Sequence, residues 1–282
     1  MTDQNTASSL PEPGPTGPSR TRTLRAALRR ALFGVGPLAT AKAMLRRAVR
    51  VDPELARQHS VAPPPQHPFD AAFGVDTGGF RSWRELQAGH ANDPYISGYL
   101  GIAPSVGRRA IGYVSAPENY TFIDYGCGKG RALIVASERP FRRVIGLEIA
   151  ADLAATARRN ASIMRASHPE RPSIEIIEGD AASFVPPPGP LVLFFYQPFE
   201  MPVMRQVIAQ FSASLNADPR PAVVIYVHPV LGRAFDGSPL LDCVVETSLE
   251  LEVEERPFAY GGRGEIDGLK VWRTRKHPPS LR

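Results

Sequence analysis

The chain has 282 residues, enough for one full α/β domain plus an extension, and 43% of them are hydrophobic. No stretch approaches the roughly 18 to 20 unbroken apolar residues of a membrane-spanning helix. The only two cysteines, Cys127 and Cys243, suit neither a disulfide framework nor a zinc site, so a reducing, cytoplasmic setting is expected. The net charge of +5 is unevenly placed: residues 1–60 hold ten basic and four acidic residues, residues 61–282 hold 23 and 24. A broad nucleic-acid-binding face on the main part of the chain is therefore not expected.

Residues 1–20 are rich in Pro, Ser, Thr and Gly, the composition of a disordered tail. Residues 21–60 read as a basic helical arm, with Leu24, Leu28 and Leu32 along one side and arginines around the rest. Three readings fit this arm: a solvated helix, a docking arm for an anionic surface (RNA or lipid headgroups), or an export signal built on Arg29-Arg30. Residues 61–68, with three consecutive prolines, form a stiff linker. The domain proper spans 69–282, as a leading segment (69–120) and a core sheet (121–275).

In the leading segment a short helical pattern surrounds Trp83 to Ala88, and Pro104 opens a helix to about Val114. From 121 the pattern alternates. Strands are predicted at 121–125, 143–148, 173–178, 191–196 and 222–227, with helices at about 130–138, 150–165 and 201–214 between them. Two closing strands, 243–254 and 268–273, have no helix between them, only the glycine-containing loop 256–267 with Tyr260. The predicted fold is a doubly wound, Rossmann-like α/β sheet of about seven strands, mostly parallel with the last antiparallel.

Ligands of such sheets bind at the carboxyl ends of the strands, beside the switch in strand order. Four features fall there. The first strand ends in Asp124 and a turn with Gly126, Gly128 and Gly130; the second ends in Glu148, the third leads to Asp180, and the fourth to Tyr196-Gln197-Pro198-Phe199. Each alone has a bland reading, as a turn, a helix cap or core, but four in order at successive strand ends point to a nucleotide site. A dinucleotide fingerprint places a glycine where Arg131 stands, and a Walker loop is absent. A buried carboxylate such as Asp124 suits an ammonium or sulfonium cation better than pyrophosphate.

Residues 122–131, Val144 to Glu148 and Glu178 to Ala181 resemble the motifs of class I S-adenosylmethionine-dependent methyltransferases. The resemblance covers about 95–275, and 69–94 is similar to the leader of a group of mostly uncharacterised bacterial members. It implies S-adenosylmethionine as cofactor, with Glu148 on the ribose, Asp180 on the adenine amino group and Ile149 on the adenine face. Gly126, Gly128 and Gly130 would line the methionyl part, and Asp124 its ammonium. Gln197 stands where the group usually has Asn. The Gln197 amide oxygen and Pro198 carbonyl are expected to accept from an amine, with Phe199 packing on it and His228, after the fifth strand, as a candidate base or a turn-filling residue. Tyr95 and Tyr99 read as part of a lid or as packing, Cys127 as packing, and Lys129 and Arg131 as exposed residues within reach of the cofactor carboxylate. The expected activity is methyl transfer to a protein side chain or small molecule. The alternatives are an RNA-directed methyltransferase using the basic arm, or a non-catalytic S-adenosylmethionine-binding module.

Overall fold

A computed structural model describes residues 66–86, 89–258 and 266–275. The tail, the arm, most of the linker and the Tyr260-glycine part of loop 256–267 lie outside the described residues.

The core is a seven-stranded sheet whose order in space is β5-β4-β3-β6-β7-β9-β8. The strands are β3 (Thr121–Tyr125), β4 (Arg143–Glu148), β5 (Ile174–Glu178), β6 (Leu191–Tyr196), β7 (Ala222–Val227), β8 (Leu241–Glu250) and β9 (Ile266–Thr274). β3 to β7 are parallel; β9 runs antiparallel between β7 and β8. Helices α3 (Arg131–Ser137), α4 (Ala151–Ser167) and α5 (Met201–Ala217) make the crossovers, and a short helix α6 (Arg233–Asp236) precedes β8. All residues of β3 and β7 are buried, as an apolar strand covered on both faces must be. The strand order reverses between β3 and β6, whose neighbouring register runs from Thr121–Leu191 to Asp124–Phe194. This puts the ends of β3, β4, β5 and β6 along one edge of the sheet.

The leading segment contains α1 (Pro68–Phe73), a two-stranded pair β1 (Phe80–Arg81) and β2 (Tyr99–Leu100), and α2 (Pro104–Gly112). Helix α1 starts where His67 Nδ1 accepts from Phe69 N–H at 3.1 Å and stops at Gly74, left-handed at φ 67.

Two boundaries differ from the sequence reading. Residues 83–86 make a turn, opened where the Glu85 carboxylate accepts from both the N–H and hydroxyl of Ser82, at 2.7 and 2.6 Å, and residues 87 and 88 lie outside the described residues. The strand expected over 243–254 ends at Glu250, and Val253–Phe258 is a 3-10 turn. Glu255 there is buried and accepts from the N–H and hydroxyl of Ser105, capping α2 and drawing the chain off the sheet edge.

Candidate functional site

At the switch point a cleft is lined by Asp124, Gly126, Gly128, Glu148, Ile149, Asp180, Gln197 and Phe199, with the leading segment on its other side. Eight of the ten residues singled out from the sequence thus meet in one place. Gly130 belongs to the same turn without lining the cleft, and His228 lies elsewhere.

The turn after β3 is left-handed at Gly126 (φ 82), Gly128 (φ 55) and Gly130 (φ 88), which L side chains resist. Space excludes side chains as well: a Cβ on Gly126 would stand 2.5 Å from Pro198 Cβ, and one on Gly128 would stand 2.2 Å from the Tyr99 ring. Gly126 and Cys127 N–H both donate to the Leu147 carbonyl at 2.9 Å, pinning the turn to the end of β4. Cys127 is buried against Gly146, and burial pushes its thiol pKa up, as befits packing and not nucleophilic chemistry.

Glu148 is 7% exposed; its carboxylate accepts from Gly128 N–H at 2.8 Å and Ala150 N–H at 2.9 Å. Burial raises its pKa while these backbone donors lower it. Ile149 N–H is a third backbone donor to this carboxylate, which still has acceptor capacity to spare. Asp124 is 3% exposed, and no hydrogen bond or ion pair reaches its carboxylate among the described residues. Burial, and then the Glu148 charge, push its pKa up to about 8. Asp180 Oδ1 caps the turn Ala181–Ser183 through Ala182 N–H, 2.9 Å, and Oδ2 accepts from Asn92 Nδ2, 2.6 Å. Ile149 joins an apolar cluster with Leu86, Ile96, Tyr99 and Leu153.

The leading segment is fastened to the glycine turn. Arg131, expected to be exposed, is 5% exposed: its Nε donates to Thr77 Oγ1 at 2.7 Å, and Nη2 lies 3.6 Å from Asp70. Asp70 in turn accepts from the N–H and hydroxyl of Thr77. Lys129 Nζ, also read as exposed, reaches Asp76 at 2.7 Å and the Gly78 carbonyl at 2.9 Å. Asn160 on α4 holds the Asp76 N–H (3.0 Å) and carbonyl (2.7 Å). Tyr99 donates to the Thr77 carbonyl at 2.7 Å and is 7% exposed, as is Tyr95 at 2%, so both are packed.

After β6 each expected amine acceptor already takes one hydrogen bond from within the protein. The Pro198 carbonyl accepts from Ser97 N–H at 2.8 Å, and Gln197 Oε1 accepts from the Tyr226 hydroxyl at 2.5 Å. An antiparallel bridge between Ile96 and Phe199, and Glu200 N–H on the Tyr95 carbonyl at 2.7 Å, close this junction. Phe199 is 4% exposed and packs edge-on against Phe195. His228 stands 3.6 Å from Asp267 on β9 through Nδ1, its backbone N–H on the Gly268 carbonyl at 2.8 Å.

The sequence reading missed Asn92, Asn160 and Tyr226. The last two carried a signal: a polar group on an otherwise apolar face must find a partner inside.

No protein-family model matches the chain, and no curated protein matches it. Among solved structures it is similar to a 23S rRNA methyltransferase, ErmE, at 19% identity over 61% of this chain and 68% of that one, with a TM-score of 0.44. It is similar to ribosomal protein L11 methylase from Lactobacillus delbrueckii subsp. bulgaricus at 15% identity over 60% and 77%, TM-score 0.41. A putative RNA methyltransferase from Pyrococcus horikoshii matches at 13% identity over 63% and 83%, TM-score 0.42.

Proposed function

We propose that the chain is an S-adenosylmethionine-dependent methyltransferase acting on a protein side chain or a small molecule. One observation carries the reading: the buried Asp124 carboxylate lines the cleft unpartnered among the described residues, beside a left-handed glycine turn and ahead of two further strand-end acids. A buried lone carboxylate is relieved by a cation and opposed by pyrophosphate.

The donor set fits this cofactor. Asp124 meets its ammonium, the remaining lone pairs of Glu148 accept ribose hydroxyls, and Asp180 accepts the adenine amino group. Ile149, Leu86 and Leu153 supply apolar surface for the ring. When bound, the cofactor supplies an electrophilic methyl group, so the protein's part is to orient an acceptor and exclude water. Ile96, Phe199 and the packed Tyr99 form the apolar boundary that does so. The near-equal 23 basic and 24 acidic residues of 61–282 provide no phosphate-binding surplus, which favours a protein or small-molecule acceptor over RNA. Two free cysteines agree with action in the cytoplasm.

Calorimetry with S-adenosylmethionine and NAD tests the cofactor. S-adenosylmethionine is expected to bind, NAD not, and Glu148→Ala to weaken binding at least about tenfold by removing charged hydrogen bonds. Tight NAD binding without S-adenosylmethionine binding overturns the reading. Release of S-adenosylhomocysteine on incubation with cell extract separates an enzyme from a binding module.

A further inference from the structure

Beyond the glycine turn the cleft wall is made by Ser97, Gln197, Phe199 and Val203. The hydrogen-bonding roles there are already divided. Tyr226, fully buried on β7, carries the one hydroxyl of an apolar strand. Its oxygen accepts from Leu231 N–H, and burial pushes the phenol pKa up, so the phenol keeps its proton. That proton goes to Gln197 Oε1, 2.5 Å away. Turning the amide over would face N–H against O–H and leave a buried donor unmet, so the amide is held in this sense. One of the two Oε1 lone pairs is thus engaged, while Nε2, which only donates, has no protein partner among the described residues. The nearby Pro198 carbonyl accepts from Ser97 N–H, which engages one of its lone pairs.

We propose that the methyl acceptor is a carboxylate oriented by Gln197 Nε2, with Tyr226 as the positioning residue that sets the sense of the amide. The proposal rests on the methyltransferase reading and names its substrate class. A donor amide attracts a carboxylate oxygen and opposes an ammonium, whose N–H groups would face N–H. The carboxylates among the described lining residues, Asp124, Glu148 and Asp180, are the three proposed for the cofactor, and among the described residues no base stands beside Gln197, since His228 does not line the cleft. A carboxylate needs none. A lone pair on its oxygen forms the O–CH3 bond while the S–CH3 bond breaks, and that bond's electron pair stays on sulfur. The products are a neutral ester and a neutral thioether, and no proton moves.

The test uses the full chain saturated with S-adenosylhomocysteine and two probes of similar size, benzoate and benzylamine, titrated by calorimetry. Benzoate is expected to bind at least about tenfold more tightly, the scale of one hydrogen bond to a charged group. Gln197→Glu is expected to reverse the order. Tyr226→Phe, which frees the amide to turn over, is expected to narrow the ratio several-fold without changing affinity for S-adenosylhomocysteine, which a general loss of structure would lower. A wild-type chain that binds S-adenosylhomocysteine but prefers benzylamine, or prefers neither, overturns the proposal; so does a folded Gln197→Glu that still prefers benzoate. A chain that binds no S-adenosylhomocysteine overturns the cofactor reading, and this one with it.

Discussion

Arg131 Nε donates a 2.7 Å hydrogen bond to Thr77 Oγ1, joining the first residue of α3 to a loop 54 residues earlier. With Asp70 these residues form a buried charged cluster, 3% exposed at Asp70 and 0% at Thr77. Removing one charge strands the other. Arg131→Met is expected to cost about 3 to 5 kcal/mol in urea denaturation, and the double variant Arg131→Met, Asp70→Asn to recover part of that loss. A double-variant loss equal to the sum of the two single-variant losses would mean that the charges do not depend on each other.

Asp124 makes stability and binding depend on pH. Its folded pKa, about 8, lies above its unfolded value, so the folded state holds the extra proton. Its contribution is fully present below the unfolded carboxylate pKa of about 4 and is lost as pH rises through about 8. Asp124→Asn is expected to flatten this decline in thermal melts across that window. Cofactor binding, by bringing an ammonium to the carboxylate, should release a proton near neutral pH. Calorimetry in two buffers of different ionisation enthalpy measures that release, and Asp124→Asn should abolish it.

Gly128 is doubly constrained, by φ 55 and by the Tyr99 ring 2.2 Å from where a Cβ would sit. Gly128→Ala is expected to cost about 2 kcal/mol or more and to weaken S-adenosylmethionine binding. In a Tyr99→Ala background only the backbone strain remains, so the same substitution should cost about 1 kcal/mol. Purely additive effects would show that the ring does not hold the turn.

His228 faces Asp267 and stays outside the cleft. Asn tolerates its left-handed φ of 55, so His228→Asn is expected to leave S-adenosylmethionine affinity and S-adenosylhomocysteine release within about twofold of wild type. Loss of turnover at unchanged affinity would bring His228 into the chemistry as a base instead of a turn-filling residue.

The sheet was legible because its strands are apolar enough to be buried on both faces and its turns carry glycines at the strand ends. Asp124, Glu148 and Asp180 could be placed in one cleft because parallel strands put their carboxyl ends on one edge. The clasp of the leading segment was not legible. Thr77 and Arg131 are far apart in sequence, and an arginine opening a helix looks like any solvated one until Asp70 is seen beside it. Gln197 could be placed at a strand end, but the sense of its amide was not legible, since its partner Tyr226 lies 29 residues later. Nor do the outer ends of β8 follow from its alternation, because Glu255 is drawn away by Ser105.

The position of β9 bears on how the chain is made. It lies between β7 and β8, and its Trp272 is fully buried, with the indole N–H on Asp236 at 2.9 Å. A nascent chain that has emerged only through β8 has every parallel strand in hand but no neighbour for the outer flank of β7. The sheet therefore cannot be completed during synthesis until residue 274 has cleared the ribosome. Until then β7, apolar along its whole length, has an open edge on which another strand can pair.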